Sequence, residues 1–487
     1  MRKWQLLTSA LDSRRDTPLF LQLSDALGDA IRDGRLKPGD ALPGTRQLAT
    51  RMHVHRNTII AGYRELVSEG LVRARHGGGT FVTGGRPSPL RAPPAAPASR
   101  APSYEVAPPL PPPPMIPPDP GGALMMFRGV PDVRLLPAEA LARGFRRALS
   151  RHGRKLLSYG DPRGHAHLRN ELATLLSHTR GLPATLDDVV VTRGSQQALD
   201  LIARAILSPG DVVGVEALGN PPSWYALRLA GAELEPIPID EHGLEIDALE
   251  ALLKRRPLRA VYVTPHHQFP TNRVMPPERR ARLAALASEH RFVIIEDDYD
   301  HEFHYEGHPV APIAASADGA NVVYVSSLSK VLAPGLRVGF IVAPRPVLDR
   351  VVSFRAVTDM QGDATMECAI AELFEEGELV RHFGRMRTIY RRRRDALAAA
   401  LERHLGGVLS FRVPDGGMAL WAALGGDIDL RRWERAGEEL GVVFRGARIF
   451  DFLGQEQPFL RLGFTYHDEA ELDEAAARMA RALDRIR

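Results

Sequence analysis

The sequence predicts a two-part chain: a small helical module, then a large α/β domain on a mostly parallel sheet with a smaller α+β subdomain. Three observations carry this. Residues 123–487 alternate apolar strand-like runs with helical patterns, the rhythm of strand–helix–strand units. Residues 1–85 fit three helical patterns and a glycine-tipped hairpin into a short span. Between them, residues 87–120 hold 15 prolines in 34 positions. Proline lacks the amide donor and fixes φ, so that stretch forms neither helix nor interior strand. The expected division is therefore 1–85, a linker 86–122, and 123–487.

In the first module, Leu19, Leu23, Leu27 and Ile31 stand four apart and predict an amphipathic helix over 19–33, closed by Gly34. Pro38, Gly39 and Asp40 form a turn. A short helix is expected over Thr45–Met52 with Thr45 as its N-cap, and another from Arg56 to Glu69 ending at Gly70. Residues 71–82 read as two short strands around His76 and three glycines. Three helices followed by a hairpin is the layout of a winged helix-turn-helix. An ordinary helical bundle with solvated arginines fits the pattern equally well. The linker is expected to run extended, with polyproline II character.

In the second part, strands are expected at Val189–Thr192, Val212–Glu216, Ala260–Thr264, Phe292–Glu296, Val322–Ser326 and Val338–Val342. A charged helix, Leu379–His404, opens the last third. Short strands near Leu409–Val413, Gly417–Ala422 and Phe459–Phe464 and a terminal helix follow.

Composition narrows the function classes. Of the 487 residues, 44% are hydrophobic and 25% charged, which is ordinary for a globular protein and excludes a disordered or collagen-like chain. The net charge of +4 is unevenly placed: residues 1–85 hold 13 basic against 8 acidic residues, and the remainder is nearly balanced. A basic N-terminal module fits an acidic partner such as nucleic acid. The lone Cys368 excludes intrachain disulfides and cysteine-based zinc sites. No secretory signal and no run approaching 18 apolar residues is present, so a cytoplasmic protein without membrane contact is expected.

The stretches PLFLQL (18–23), AIRDGRLKPGDALPGTRQLA (30–49), RNTIIAGYRELVSEGLV (56–72) and GGGTFV (77–82) resemble the DNA-binding domain of the GntR family. That resemblance implies a winged helix-turn-helix whose third helix reads double-stranded DNA. By motif position it nominates Arg46, Arg56, Asn57, Thr58 and Gly78 as DNA contacts. His55 stands where the family more usually has a small residue.

Lysine is scarce in the chain: only residues 3, 37, 155, 254 and 330. Lys330 follows an apolar strand in VVYVSSLSKVLAPGLRVGF (322–340). A lysine in a cleft loses solvation, its pKa falls, and the free amine can attack an aldehyde. Ser327 and Ser329 can donate to a phosphate, and Arg337 offers a planar cationic fork. FVIIEDDYDHEF (292–303) ends a strand in acids, where open α/β sheets bind ligands. A buried carboxylate there can hold a protonated pyridine nitrogen; a metal site or a solvated turn reads the same residues differently. Gly194, Ser195 and Gln196 begin a helix whose first amides can hold a phosphate.

These elements, with SYGDPRGHAHLR (158–169), TPHHQFPTN (264–272) and FLRLGF (459–464), resemble fold type I pyridoxal 5′-phosphate enzymes, the class I aminotransferases. The resemblance gives Lys330 the Schiff base, Asp297 the pyridine nitrogen and Tyr299 the ring hydroxyl. It gives Gly194, Ser195, Gln196, Ser327 and Arg337 the phosphate, with Tyr159 reaching in from a second subunit. It gives Arg461 the carboxylate of an amino compound and implies no metal. A GntR-type domain joined to such a domain is similar to the MocR/GabR subfamily. The expected protein is then a bacterial pyridoxal-phosphate-dependent transcriptional regulator, homodimeric and domain-swapped. It would sense an amino compound, or pyridoxal phosphate itself, through a Lys330 aldimine. An active aminotransferase with an appended DNA-binding domain is the competing expectation. Three features depart from the family: Asn220 replaces a tyrosine that stacks on the cofactor ring, Asn272 replaces a turn glycine, and an asparagine that tunes the ring hydroxyl is absent near Phe269. Trp224 and Tyr225 are the nearby aromatics that could serve in place of the missing tyrosine.

Overall fold

The computed structural model describes residues 11–12, 17–75, 79–83, 122–316 and 319–487. They form two separate units, one on either side of residues 84–121. The linker expected at 86–122, apart from Gly122, lies outside the described residues, as does Gly78.

The N-terminal unit has helices Leu19–Arg32, Thr45–Met52 and Arg56–Ser68 and strands Val72–Arg75 and Gly79–Val82. The apolar stripe of the first helix is its buried face: Leu23 and Leu27 pack with Leu48, Ile59, Tyr63 and Leu66 into one core. Two details differ from expectation. Thr45 is the first helical residue rather than the cap, which is Gly44. A two-residue strand, Ala41–Leu42, pairs with Gly79–Val82 and turns the hairpin into a three-stranded sheet.

The C-terminal unit is built on a seven-stranded sheet. Across it run Val189–Thr192, Gly339–Val342, Val322–Ser327, Val293–Asp298, Ala260–Val263, Val212–Glu216 and Glu233–Ile237. Gly339–Val342 is antiparallel to both its neighbours; the other pairs are parallel. Helices cover both faces, which is why the central strands read as unbroken apolar runs. Side chains alternate between the faces. Val213, Val215, Tyr262, Ile295, Val323 and Val325 pack toward Ser195–Ile206 and Pro221–Leu229. Val212, Val261, Val263 and Ile294 pack toward Ile246–Arg255 and Pro277–His290. A second sheet, Leu409–Phe411, Ala419–Leu424 and Phe459–Gly463, is antiparallel and packs with the long helix Glu378–Leu405 and the last helix Glu469–Asp484. It is the expected smaller subdomain. Among the described residues, no helix is long and apolar enough to cross a membrane.

Candidate functional site

Alternation along one strand sorts three consecutive acids. Glu296 and Asp298 point to one face of the sheet and Asp297 to the other. Glu296 accepts the amides of Ile313 and Ala314 at 2.8 and 2.9 Å, fixing a turn. Asp298 accepts from Tyr324 at 2.6 Å and from His301 Nδ1 at 2.8 Å, with Arg180 at 3.7 Å. Asp297 shares its face with Tyr262, whose hydroxyl donates to Asp297 Oδ2 at 2.7 Å. Asp297 Oδ1 is buried and has no hydrogen-bond partner. The acids are therefore not a solvated turn.

Asp297 lines a cavity of about 360 Å³ together with Tyr299, Lys330, Ser195, Asn220 and Arg461. This pocket lies at the carboxyl ends of the parallel strands, where loops diverge from the sheet. Lys330 stands on the turn after Val322–Ser327, and its Nζ donates to Gly129 O at 3.1 Å. Burial, with Arg461 beside it, lowers the amine to about 8. Burial raises Asp297 to about 7, against the hydrogen bond from Tyr262. Arg461 is 3% exposed, lies 4.7 Å from the Phe269 ring centroid and donates to Phe127 O at 3.3 Å. Its Nε has no partner, and burial lowers its pKa. The hydroxyl of Tyr299 is likewise buried and unpartnered.

A second element opens beside the cavity. The helix Ser195–Ile206 begins at Gly194, whose φ of 78° is left-handed and favours glycine. A Cβ at Gly194 would meet the Arg337 guanidinium at 2.8 Å. Arg337 is exposed and donates to Arg193 O at 2.8 Å, so its cation lies against the helix start. Free helix amides and an arginine fork make an anion site. The Gln196 side chain donates to Pro222 O at 2.8 Å, leaving only its backbone amide for such an anion.

Other nominated residues fall elsewhere. Ser327 does not line the cavity; its hydroxyl donates to Val338 O at 3.2 Å and accepts the Ser329 amide at 3.0 Å. Tyr159 is 80% exposed and borders a different cavity, with His152 and Gln361. Trp224 packs on Phe452 at 5.2 Å, and neither it nor Tyr225 lines the site. The place of the missing aromatic is lined by Asn220, Pro221 and Pro222. Asn220 donates to Ser223 Oγ at 2.9 Å, 3.0 Å from the Tyr262 hydroxyl. Asn272 does take a positive φ of 57°, so the turn keeps its form. Sequence reasoning passed over Tyr262. Its signal was available: a hydroxyl inside a strand buried on both faces must find a partner.

In the N-terminal unit, Arg46, Arg56 and Asn57 are exposed, and Thr58 is half-buried. Arg56 Nε donates to Thr45 Oγ1 at 3.3 Å, joining the starts of two helices. His55 is the N-cap of the third helix: its Nδ1 accepts the Asn57 amide at 3.2 Å. The unusual histidine therefore does the work of the expected small polar cap. Arg73 and Arg75 lie exposed on the strand before the tip.

Residues 131–479 match the family described as aminotransferase class I and II, and residues 19–82 the bacterial regulatory proteins of the gntR family. The probable rhizopine catabolism regulatory protein MocR of Rhizobium meliloti is 32% identical over 89% of this chain and 87% of its own. The pyridoxine biosynthesis transcriptional regulator PdxR of Corynebacterium glutamicum is 30% identical over 81% of each. Among solved structures, the α-aminoadipate aminotransferase LysN of Thermus thermophilus, complexed with N-(5′-phosphopyridoxyl)-L-leucine, superposes with a TM-score of 0.70. It is 31% identical and covers 75% of this chain and 93% of its own.

Proposed function

Because the chain belongs to the aminotransferase class I and II family and carries a gntR-family domain ahead of it, we propose that it is a transcriptional regulator that binds double-stranded DNA and uses pyridoxal 5′-phosphate to sense an amino compound or the cofactor itself. The observation that carries this is the convergence of Lys330, Asp297 and Tyr299 on one cavity beside the Gly194–Arg337 anion site. The residues fit the group. Asp297 Oδ1 and the Tyr299 hydroxyl are buried polar atoms without protein partners, and they would pair with a ring nitrogen and a ring hydroxyl. Bound, the cofactor supplies an aldehyde that captures amines.

The chain's own residues then have distinct tasks. Lys330, held near neutrality, is the amine that attaches the group. Asp297 holds the proton of the ring nitrogen, and Tyr262 holds Asp297. The amides of Ser195 and Gln196 and the Arg337 fork take the phosphate, with Ser327 behind them. Arg461 takes the carboxylate of the amino compound, which neutralises a buried cation. Tyr159, exposed on its own chain, completes the phosphate site of a second copy in a domain-swapped homodimer. Arg46, Arg56, Asn57 and Thr58, with Gly78 on the wing, contact the operator. The domains are 1–85, linker 86–122 and 123–487, and the protein works in the bacterial cytoplasm.

Active transamination is the second reading, favoured by Arg461 facing Lys330 in one cavity. Asn220 and Phe269 count against efficient turnover, since each removes a group the enzymes use on the ring. The test is a footprint of the DNA upstream of the gene, with and without pyridoxal phosphate and a panel of amines. Specific protection that shifts at least tenfold in affinity with cofactor or amine is expected. Absence of specific DNA binding in every condition overturns the proposal. Sustained turnover at about 1–1,000 per second instead establishes the enzyme.

A further inference from the structure

Two loops leave the sheet side by side. One follows Ala260–Val263 and carries His266 and His267; the other follows Val293–Asp298 and carries Asp300, His301 and His304. The two strands are parallel neighbours, so their carboxyl ends, and these loops, converge. The His266 ring centroid lies 4.2 Å from that of His267 and 4.3 Å from that of His301, and the His267 and His304 rings stack at 6.1 Å.

The hydrogen bonds of this cluster are incomplete in a patterned way. His267 Nδ1 lies 2.7 Å from Asp300 Oδ1. A neutral histidine donates there to the carboxylate, which leaves Nε2 as a bare lone pair. That Nε2 is buried without a partner. His266, 2% exposed, has no partner on either ring nitrogen, and His304 Nδ1 is also buried and unpartnered. A buried polar atom left unsatisfied carries a desolvation cost that a partner would remove. One ring nitrogen from each of His266, His267 and His304 lies within 4.8 Å of the others.

We propose that His266, His267 and His304 form a binding site for a divalent transition-metal ion of the zinc class, distinct from the cavity of Lys330. Neutral imidazoles are the ligands such ions prefer, and three leave a fourth position open. Asp300 behind His267 supplies the carboxylate backing that orients a ligating histidine. Nitrogens around tetrahedral zinc stand roughly 3.3 Å apart, given bonds of about 2.0–2.1 Å. The sequence offered a metal site only as an alternative reading of residues 292–303; this one draws ligands from two separate motifs that only the strand pairing unites.

The site also has a structural consequence. His304 bridges to Gly416, Tyr305 N donates to Asp415 O at 2.7 Å, and Gly417 N donates to Phe303 O at 2.9 Å. The His267 ring lies so close to Gly416 that no side chain fits there. Residues 415–417 lead into Ala419–Leu424 of the smaller subdomain. A bound ion would fix His304, and through its bridge to Gly416 the segment that leads into the smaller subdomain.

The test uses the full-length protein, made without a histidine tag, stripped with a chelator, and titrated with Co(II) and then Zn(II). One ion per chain is expected, with the strong visible bands of low-coordinate cobalt, displacement by zinc, and a higher melting temperature. His266→Ser and His304→Gln should each weaken binding at least tenfold, while His178→Ala, an exposed histidine, leaves it unchanged. Less than stoichiometric binding overturns the proposal. So does cobalt binding that survives His304→Gln, since the ion then sits on surface histidines. If His266→Ser does not fold, the partly exposed His304 decides. DNA binding plays no part in these readouts, so this site and the regulator reading fail separately.

Discussion

The two units of this chain hold their functional charges in opposite ways. In the N-terminal unit Arg46 and Arg56 stand in water on a small, largely aliphatic core with one tyrosine. In the C-terminal unit Lys330, Asp297 and Arg461 are taken out of water, and burial pushes each toward its neutral form. The difference teaches where strain resides. An exposed arginine places little burden on the fold and acts through long-range attraction that salt screens. A buried lysine at about 8 or carboxyl at about 7 opposes folding at neutral pH. Under the proposed function it is there for chemistry.

The largest effect expected is in Lys330→Ala. Covalent retention of the cofactor should vanish, read as loss of bound-cofactor absorbance after desalting. The cofactor-free variant should nonetheless melt higher than the cofactor-free parent at pH 7. One pKa unit is about 1.4 kcal/mol, so the drop from 10.5 to about 8 corresponds to a gain of roughly 3–4 kcal/mol. A lower melting temperature would break the comparison.

Burial by itself is not the strain, and Arg180 separates the two. It is buried, yet Glu302, Tyr324 and Ser326 engage it, and Asp298 lies at 3.7 Å. Burial alone would lower its pKa, but the surrounding oxygens raise it above the ordinary arginine value. Arg180→Met removes one partner of a buried network and should destabilise by about 3–5 kcal/mol in denaturant titration. It sits on the face opposite the cavity, so cofactor binding should survive wherever the variant remains folded.

Asp297→Asn sharpens the same contrast through pH. In the unfolded chain the carboxyl loses its proton near 3.8; folded, it keeps it until about 7. Between those values the folded state binds more protons, so Asp297 makes stability fall as pH rises through that window. The difference in stability between Asp297→Asn and the parent, both cofactor-free, should therefore grow from pH 4 to pH 8 by roughly 3–4 kcal/mol. A flat difference places the strain elsewhere.

How much of this was legible follows the same division. The central strands could be read because both their faces are covered, which leaves unbroken apolar runs. Glu233–Ile237 could not: it is an edge strand, ELEPI, with two glutamates and a proline that only an edge tolerates. Lys330 and Asp297 were legible because chemistry placed them at strand ends, against the local apolar pattern. The task of Tyr262 was not, because it depends on which neighbour shares its face. The engagement of Ser327 with Val338 depends on a pairing between strands that linear order hides.

The smallest effect expected lies in the exposed unit. Arg56→Ala removes a side chain whose one hydrogen bond among the described residues is to Thr45 Oγ1 at 3.3 Å, so protein stability should move by no more than about 0.5 kcal/mol. Its effect should appear in DNA binding, where losing one phosphate contact lowers the slope of log affinity against log salt by about 1. His55 is the control that keeps this interpretable. It lies next to Arg56 and caps the same helix. His55→Ala should cost about 0.5–1 kcal/mol of stability and leave the salt slope alone, because it carries structure rather than charge to the interface. If the two variants exchange these signatures, Arg56 is the residue that holds the helix, and the charge that meets DNA in this unit must be sought on Arg46 or the strand arginines instead.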